Sequence, residues 1–111
     1  MQLLFDSFNE FLIIKFKGEL DHHSTEEARK IIDDHYFKDN KKKVILDLRD
    51  VVFMDSSGIG LIMGRYKLFK ESGGEVFIVS SNPYLDRILQ MSGIFKIMKI
   101  YSSIDSAIDN N

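Results

Sequence analysis

Short apolar runs alternate with amphipathic stretches along this chain, and the alternation predicts its secondary structure. Strands are expected at residues 3–5, 11–16, 44–48 (continuing at 51–54 after a polar turn), 76–79 and 94–100. Helices are expected from Ser24 or Thr25 to about residue 37, then at 57–70, 83–91 and 103–108, each preceded by a residue suited to capping. The predicted order is β-β-α-β-α-β-α-β-α.

Strands that alternate with helices after an initial hairpin predict an α/β fold. We expect a small sandwich in which a mixed, mostly parallel sheet carries an antiparallel N-terminal edge strand and about four helices. In open α/β sheets, functional sites form in the loops that leave the strand ends. The polar loops at residues 18–24 and 55–58 are therefore the candidate site.

Composition narrows the class of protein. A length of 111 residues with 44% hydrophobic content and no evident linker predicts one globular domain, residues 1–111. Lysine and arginine number 15 against 17 acidic residues, so the net charge of −2 gives no indication of binding to nucleic acid or to an anionic membrane. Cysteine is absent, and the N-terminus lacks the pattern of a signal peptide, so we expect a cytoplasmic protein.

The segment Asp55-Ser56-Ser57-Gly58 stands where the second helix is expected to begin. Aspartate and serine are preferred helix caps, so simple capping is one interpretation. The other is a phosphoacceptor, because a phosphate on an exposed serine in the first turn would meet unpaired N–H groups and the positive end of the helix dipole. The residues alone leave both interpretations open.

A small serine hydrolase is the alternative function. Ser56 with Asp21 and either His22 or His23 supplies the residue types of a catalytic triad. The Gly-x-Ser-x-Gly spacing and a glycine-rich oxyanion loop are both missing, however. The two adjacent histidines and His35, which is expected on an apolar helix face, do not form a convincing metal site either.

The helix at residues 57–70 has apolar residues on more than one side. One side is expected to pack on the sheet, and the opposite side carries Leu61, Gly64, Arg65 and Leu68. This second group either packs on a neighbouring helix or forms an exposed docking strip beside Ser56. On the second interpretation, Leu61 contacts a partner.

Four motifs in order give the chain a family resemblance that covers nearly its whole length. They are Gly18-Glu19-Leu20-Asp21-His22-His23, Phe53-Met54-Asp55-Ser56-Ser57-Gly58-Ile59-Gly60, Gly64-Arg65-Tyr66-Lys67 and Met91-Ser92-Gly93-Ile94-Phe95-Lys96-Ile97. The chain resembles STAS-domain anti-anti-sigma factors, and within them the sporulation branch more than the general-stress branch. The resemblance implies a STAS-like fold and a regulatory protein with neither catalytic activity nor a cofactor of its own.

The resemblance also implies a partner-switching mechanism. Ser56 matches the residue that is phosphorylated by an anti-sigma factor that is itself a serine kinase using ATP and magnesium. The unphosphorylated protein binds that kinase and releases the sigma factor, phosphorylation blocks binding, and a serine phosphatase restores the serine. Asp21, Asp55, Ser57 and Gly58 match positions that contact the partner or begin the helix, whereas His22 and His23 have no assigned role.

Overall fold

A computed structural model describes all residues, 1–111, as one five-stranded sheet flanked by helices. The strands are β1 (Gln2–Phe8), β2 (Phe11–Leu20), β3 (Lys43–Met54), β4 (Glu75–Val79) and β5 (Ile100–Tyr101). The helices are α1 (Thr25–Asp39), α2 (Ser56–Glu71), α3 (Pro83–Ser92) and α4 (Ile104–Asp109), with a 3₁₀ turn at Ile94–Lys96. None of the helices combines the length and the apolar character that crossing a membrane would require.

The sheet has the mixed topology that the sequence predicts. Its strands follow chain order, with β1 antiparallel to β2 at one edge and every other neighbouring pair parallel. The β1–β2 hairpin turns at Asn9, whose φ of 51° lies in the left-handed region that asparagine tolerates better than most residues. The predicted α/β fold class is confirmed.

Apolar residues are buried on both faces of the sheet. Helices α1, α2 and α3 cover one face, where 21 buried residues form the main core, including Leu12, Ile14 and Phe16 of β2. Helix α4 covers part of the other face, where Phe11 and Ile13 belong to a smaller cluster of six buried residues. Burial of alternate residues on opposite faces explains why β2 is a nearly continuous apolar run.

The prediction of a last strand at residues 94–100 is largely wrong. Residues 94–100 were expected to be extended, but the chain forms the 3₁₀ turn and only Ile100 and Tyr101 pair with β4. Ile94 and Met98 are both buried, and the Met98 N–H donates to the Ile94 carbonyl at 3.0 Å. Burial four residues apart is a helical spacing, and it outweighed the strand propensity of the isoleucines.

The prediction that His35 lies on the apolar, buried face of α1 is wrong. Ala28, Ile32 and Tyr36 are buried, whereas His35 is exposed and Ile31 is 37% exposed. The His35 ring stacks on the ring of Phe5 in β1, with centroids 3.6 Å apart. His35 therefore covers the sheet edge rather than filling the core.

Candidate functional site

The two candidate loops lie side by side because β2 and β3 end together. Leu20 and Met54, the last residues of these strands, are paired in register. The Asp55 N–H also donates to the Leu20 carbonyl at 3.4 Å. The loop that begins at Asp21 and the turn that leads into α2 therefore leave the same edge of the sheet, as the sequence predicts.

Asp55 is the residue that caps α2. Its backbone is extended, and its carboxylate oxygen Oδ1 accepts hydrogen bonds from the N–H groups of Ser57 at 2.9 Å and Gly58 at 3.3 Å. The bond to Ser57 satisfies a donor that the first helical turn leaves without an intrahelical partner, whereas the Gly58 N–H also donates to the Asp55 carbonyl at 3.1 Å. A phosphate at this position would therefore find these two N–H groups already occupied, contrary to the expectation from sequence.

Capping by Asp55 leaves both serine hydroxyls unused by the helix. Ser56 is the first residue of α2 and is exposed, and its hydroxyl forms no hydrogen bond within the chain. Ser57 is half-buried and its hydroxyl is likewise unbonded. Of the two hydroxyls, that of Ser56 is the more accessible to solvent. The Asp55 cap holds the backbone of this first helical turn in place.

Gly58 allows α2 to begin in direct contact with the strand ends. A Cβ atom at this residue would lie 2.6 Å from Cγ of Met54 and 2.8 Å from the carbonyl oxygen of Leu20. No side chain fits in that space without movement of the strand or the helix. Gly58 is buried, so it contributes to the site by positioning Ser56 rather than by offering a contact surface.

Asp21 organises the neighbouring loop. Its Oδ1 accepts hydrogen bonds from the N–H groups of His23 at 3.0 Å and Ser24 at 3.1 Å. Burial alone would raise the pKa of Asp21, but these hydrogen bonds outweigh it and lower the pKa below its usual value. Ser24 is the N-cap residue of α1, as predicted, but its hydroxyl donates to the carbonyls of Glu19 and Asp21 rather than capping. A second ionised carboxylate therefore lies in the loop beside the start of α2.

The residue types of the hydrolase alternative are not arranged as a triad. The Ser56 hydroxyl forms no hydrogen bond with His22 or His23, whose exposed rings contact each other with centroids 5.8 Å apart. The carboxylate of Asp21 accepts from backbone N–H groups and orients neither imidazole. General-base activation of a serine needs both of those contacts. No group of three or more histidine, aspartate or glutamate side chains is arranged to hold a metal ion.

The prediction of an exposed docking strip on α2 is wrong. Leu61 is only 5% exposed and belongs to the main core, and Leu68 is partly buried against the same core. Arg65 is 7% exposed, and its Nε lies 2.9 Å from Oδ1 of Asp33 on α1. The packing alternative is therefore the correct one, and Leu61 has almost no surface with which to contact a partner.

Two exposed apolar residues next to the site were missed. Val52 is 67% exposed and Phe53 is 42% exposed, and they precede the Asp55 cap. Strand β4 pairs with β3 only as far as Asp47, so the end of β3 extends beyond β4 and is paired with β2 alone. The signal in the sequence was the four-residue apolar run 51–54, of which only Val51 and Met54 are buried.

Known proteins that are similar in sequence or structure agree with the fold described above. The STAS domain family pattern matches residues 4–107. The chain is 41% identical over 103 residues to the anti-sigma F factor antagonist of Paenibacillus polymyxa, covering 93% of this chain and 88% of the relative. A candidate anti-sigma factor antagonist from Thermotoga maritima superposes with a TM-score of 0.90 at 27% identity, covering 97% of this chain and 92% of the other.

The anti-sigma factor antagonist SpoIIAA of Bacillus is similar in two solved forms. The unphosphorylated form superposes with a TM-score of 0.75 at 26% identity, covering 98% of this chain and 96% of that one. The phosphorylated form superposes with a TM-score of 0.74 at 29% identity, covering 98% of each chain. The two forms of SpoIIAA are thus about equally similar to this structure.

Proposed function

This chain belongs to the STAS domain family, and we propose that it is an anti-sigma factor antagonist that is switched by phosphorylation of Ser56. In its unphosphorylated form it binds an anti-sigma factor that is also a serine kinase, and the bound sigma factor is released. Phosphorylation by that kinase, with ATP and magnesium, then prevents further binding. The relative from Paenibacillus polymyxa is named for antagonism of an anti-sigma F factor, which supports the partner class.

The observation that carries the proposal is the environment of the Ser56 hydroxyl. Ser56 is exposed in the first turn of α2, and Asp55 has already satisfied the cap, so the hydroxyl is free to react. Gly58 packs directly against Met54 and Leu20, which holds the first turn of α2 against the sheet. A phosphoryl group can therefore be added without breaking any hydrogen bond that holds the helix.

Electrostatics explains why the added phosphate acts as a switch. A phosphoserine carries close to two negative charges, and here it would follow the carboxylate of Asp55 directly, at the sheet end where the loop that holds Asp21 also begins. The N–H groups of Ser57 and Gly58 are already bound to Asp55 and cannot neutralise it. A partner surface that fits the neutral serine would have to bury this charge without compensation, which costs several kcal/mol.

The contact surface for the partner consists of the residues around Ser56. Val52 and Phe53 supply exposed apolar area, and the half-buried Asp21, Asp55 and Ser57 supply polar groups beside it. An apolar centre with a polar rim is typical of protein interfaces. Apolar contact provides affinity in this arrangement, and the serine at its margin controls whether contact is tolerated.

The cycle requires a serine phosphatase that removes the phosphate and restores binding. Ser56 remains exposed in the first helical turn, where a second enzyme can reach it. We propose that the cycle operates in sporulation, because the motifs of the chain resemble the sporulation branch of the family; the 41% identity to an anti-sigma F factor antagonist supports the choice of partner. Recovery of a general-stress anti-sigma factor as the partner would instead assign the protein to that pathway.

Phosphorylation in vitro tests the site assignment. The protein is incubated with a purified anti-sigma F factor, ATP and magnesium, and the modified residue is located by mass spectrometry. We expect one phosphate on Ser56, none in Ser56→Ala, and an unchanged yield in Ser57→Ala, the matched control one residue away. Modification of Ser57 or of a residue outside this turn would contradict the assignment.

The same variants separate regulation from catalysis. Ser56→Ala is expected to bind the anti-sigma factor and release the sigma factor permanently, because it cannot accept phosphate. If Ser56→Ala instead abolished a hydrolytic activity on ester substrates, the regulatory proposal would fail and the hydrolase alternative would replace it.

A further inference from the structure

A second groove lies on the face of the sheet that carries α4. It has a volume of about 600 Å³, and it runs between Ile104 and Ile108 of α4 on one side and Leu4 and Phe8 of β1 on the other. Ile13 of β2 also lines it and is nearly buried, 9% exposed. Leu4 and Phe8 remain 45% and 51% exposed, so much of the groove's apolar wall is open to solvent.

The groove remains open because α4 is short and displaced toward one side of the sheet. Its six residues pack mainly on β3, β4 and β5, which leaves the side chains that edge strand β1 directs to this face exposed. Alternation along β1 directs Leu4, Asp6 and Phe8 to the same face. The strand therefore presents two large apolar side chains, four residues apart, with an acidic side chain between them.

Acidic groups without cationic partners surround this apolar surface. The two cations that line the groove are already paired: Arg49 makes a bidentate contact with Asp47 at 2.9 Å, and Lys15 lies 3.3 Å from Asp50. A separate set of carboxylates lines the groove and has no cation within 4 Å: Asp6, Asp105 and Asp109. The rim of the groove is therefore negative, because every charged side chain in it that lacks an ion-pair partner is a carboxylate.

We propose that this groove is a second protein-docking surface, whose occupant is an amphipathic helix with an apolar stripe flanked by lysine or arginine. The apolar stripe would pack on Leu4, Phe8 and Ile104, and the flanking cations would meet the unpaired carboxylates of the rim. Insertion of an apolar helix face into a groove is a common mode of peptide recognition, and charge complementarity selects the partner. An anionic membrane or a nucleic acid would be repelled by the same rim.

The groove is separate from the Ser56 site. Ser56 lies at the carboxyl ends of β2 and β3 and begins α2, which packs on the opposite face of the sheet. Neither Asp21 nor any residue from Val52 to Gly58 lines the groove. Both surfaces can therefore be occupied at once, and binding in the groove is independent of the phosphorylation state of Ser56.

A designed peptide tests the groove without knowledge of the natural partner. The probe is a fluorescent helical peptide of leucine and lysine, about 14 residues long or four turns, with leucines at helical spacing. Binding is measured by anisotropy for the wild type, for a Leu4→Ser/Phe8→Ser variant, and for a Phe37→Ser/Met91→Ser control. The control replaces apolar residues that are at least as exposed but lie outside the groove.

The expected pattern is specific to the groove. Leu4→Ser/Phe8→Ser should weaken binding by about tenfold or more, and the control variant should bind like the wild type. Asp105→Asn/Asp109→Asn should weaken binding severalfold at low salt, with a smaller effect at high salt. Ser56→Glu should leave binding unchanged. Circular dichroism confirms that each variant is folded.

Several results would overturn the proposal. They are an absence of peptide binding to the wild type, equal loss in the Phe37→Ser/Met91→Ser control, and equal binding of a peptide with the same composition but no helical periodicity. A wild type that self-associates through Leu4 and Phe8, with loss of association in their double variant, would assign the groove to a second copy instead. Loss of peptide binding in Ser56→Glu would show that the two surfaces are not separate.

Discussion

At the start of α2, the carboxylate of Asp55 accepts hydrogen bonds from the N–H groups of Ser57 and Gly58, and the hydroxyls of Ser56 and Ser57 take no part in the cap. Serine is itself a good capping residue, so the sequence alone did not show which side chain would cap. The structure assigns the cap to Asp55 and leaves Ser56 free. The reactivity proposed for Ser56 therefore depends on its neighbour.

Removal of this cap has a defined cost. We expect Asp55→Ala to lower the free energy of unfolding by about 1 kcal/mol, because the Ser57 N–H loses its acceptor and the Gly58 N–H keeps only the backbone carbonyl of residue 55. Urea denaturation measures the change. Ser57→Ala is the control and should have little effect, because the Ser57 hydroxyl makes no hydrogen bond; equal loss in the two variants would show that Asp55 is not the cap.

Two glycines of α2 should respond to alanine with opposite signs. Gly58→Ala places a Cβ 2.6 Å from Met54 and 2.8 Å from the Leu20 carbonyl, so we expect destabilisation of at least about 1 kcal/mol. Gly60→Ala has no atom within 4 Å and should stabilise the helix by about 0.5–1 kcal/mol. Thermal denaturation of both variants checks the prediction. A stabilising effect of Gly58→Ala would contradict the close packing of α2 against the ends of β2 and β3.

At the scale of elements, hydrophobic periodicity predicted the helices and the first four strands but not which helical side is buried where helices meet. Apolar residues on two sides of α2 were compatible with either packing or docking. The outcome depends on α1, whose Asp33 pairs with the buried Arg65. Ile94 and Met98 are likewise buried in the core, and the segment that holds them forms a 3₁₀ turn instead of the predicted strand.

The α1–α2 contact predicts a pH dependence of stability. Burial raises the pKa of Asp33 above its usual value, and this effect outweighs the opposing attraction to Arg65. The folded state therefore binds a proton more readily than the unfolded state. The resulting stabilisation is fully present below the usual aspartate pKa and is lost as the pH rises through the raised one.

Asp33→Asn tests this dependence because it removes the titrating group. Urea denaturation is measured from about pH 3 to about pH 7. The free energy of unfolding of the wild type, relative to Asp33→Asn, should fall as the pH increases across this range. Asp34→Asn, on the exposed side of the same helix, should follow the wild-type profile; a rise in the wild-type difference with pH would contradict the prediction.

In the whole molecule, the Ser56 site and the acidic groove belong to opposite faces of the sheet. Ser56 begins α2, which packs on one face, whereas the acidic groove lies beside α4 on the other face. The sequence located the first surface through its polar loops and its resemblance to a family. It did not indicate the second, because exposure of Leu4 and Phe8 depends on how much of the sheet a short C-terminal helix covers.

The apolar part of the Ser56 surface is tested by a substitution that leaves the core intact. We expect Phe53→Ser to weaken binding to the anti-sigma factor by about tenfold, because a large side chain at an interface contributes through its buried area. Met91→Ser, which replaces a residue 78% exposed on α3, is the control. Titration calorimetry measures both; equal affinities for Phe53→Ser and the wild type would remove Phe53 from the interface.

The central claim is that one phosphate on Ser56 decides whether the protein binds its partner. The most direct test compares the Kd of the anti-sigma factor for the unphosphorylated protein and for protein phosphorylated only on Ser56. We predict that phosphorylation weakens binding by about a hundredfold or more, which corresponds to about 2.7 kcal/mol. Equal affinity of the two forms, with the phosphate verified on Ser56, would contradict the account.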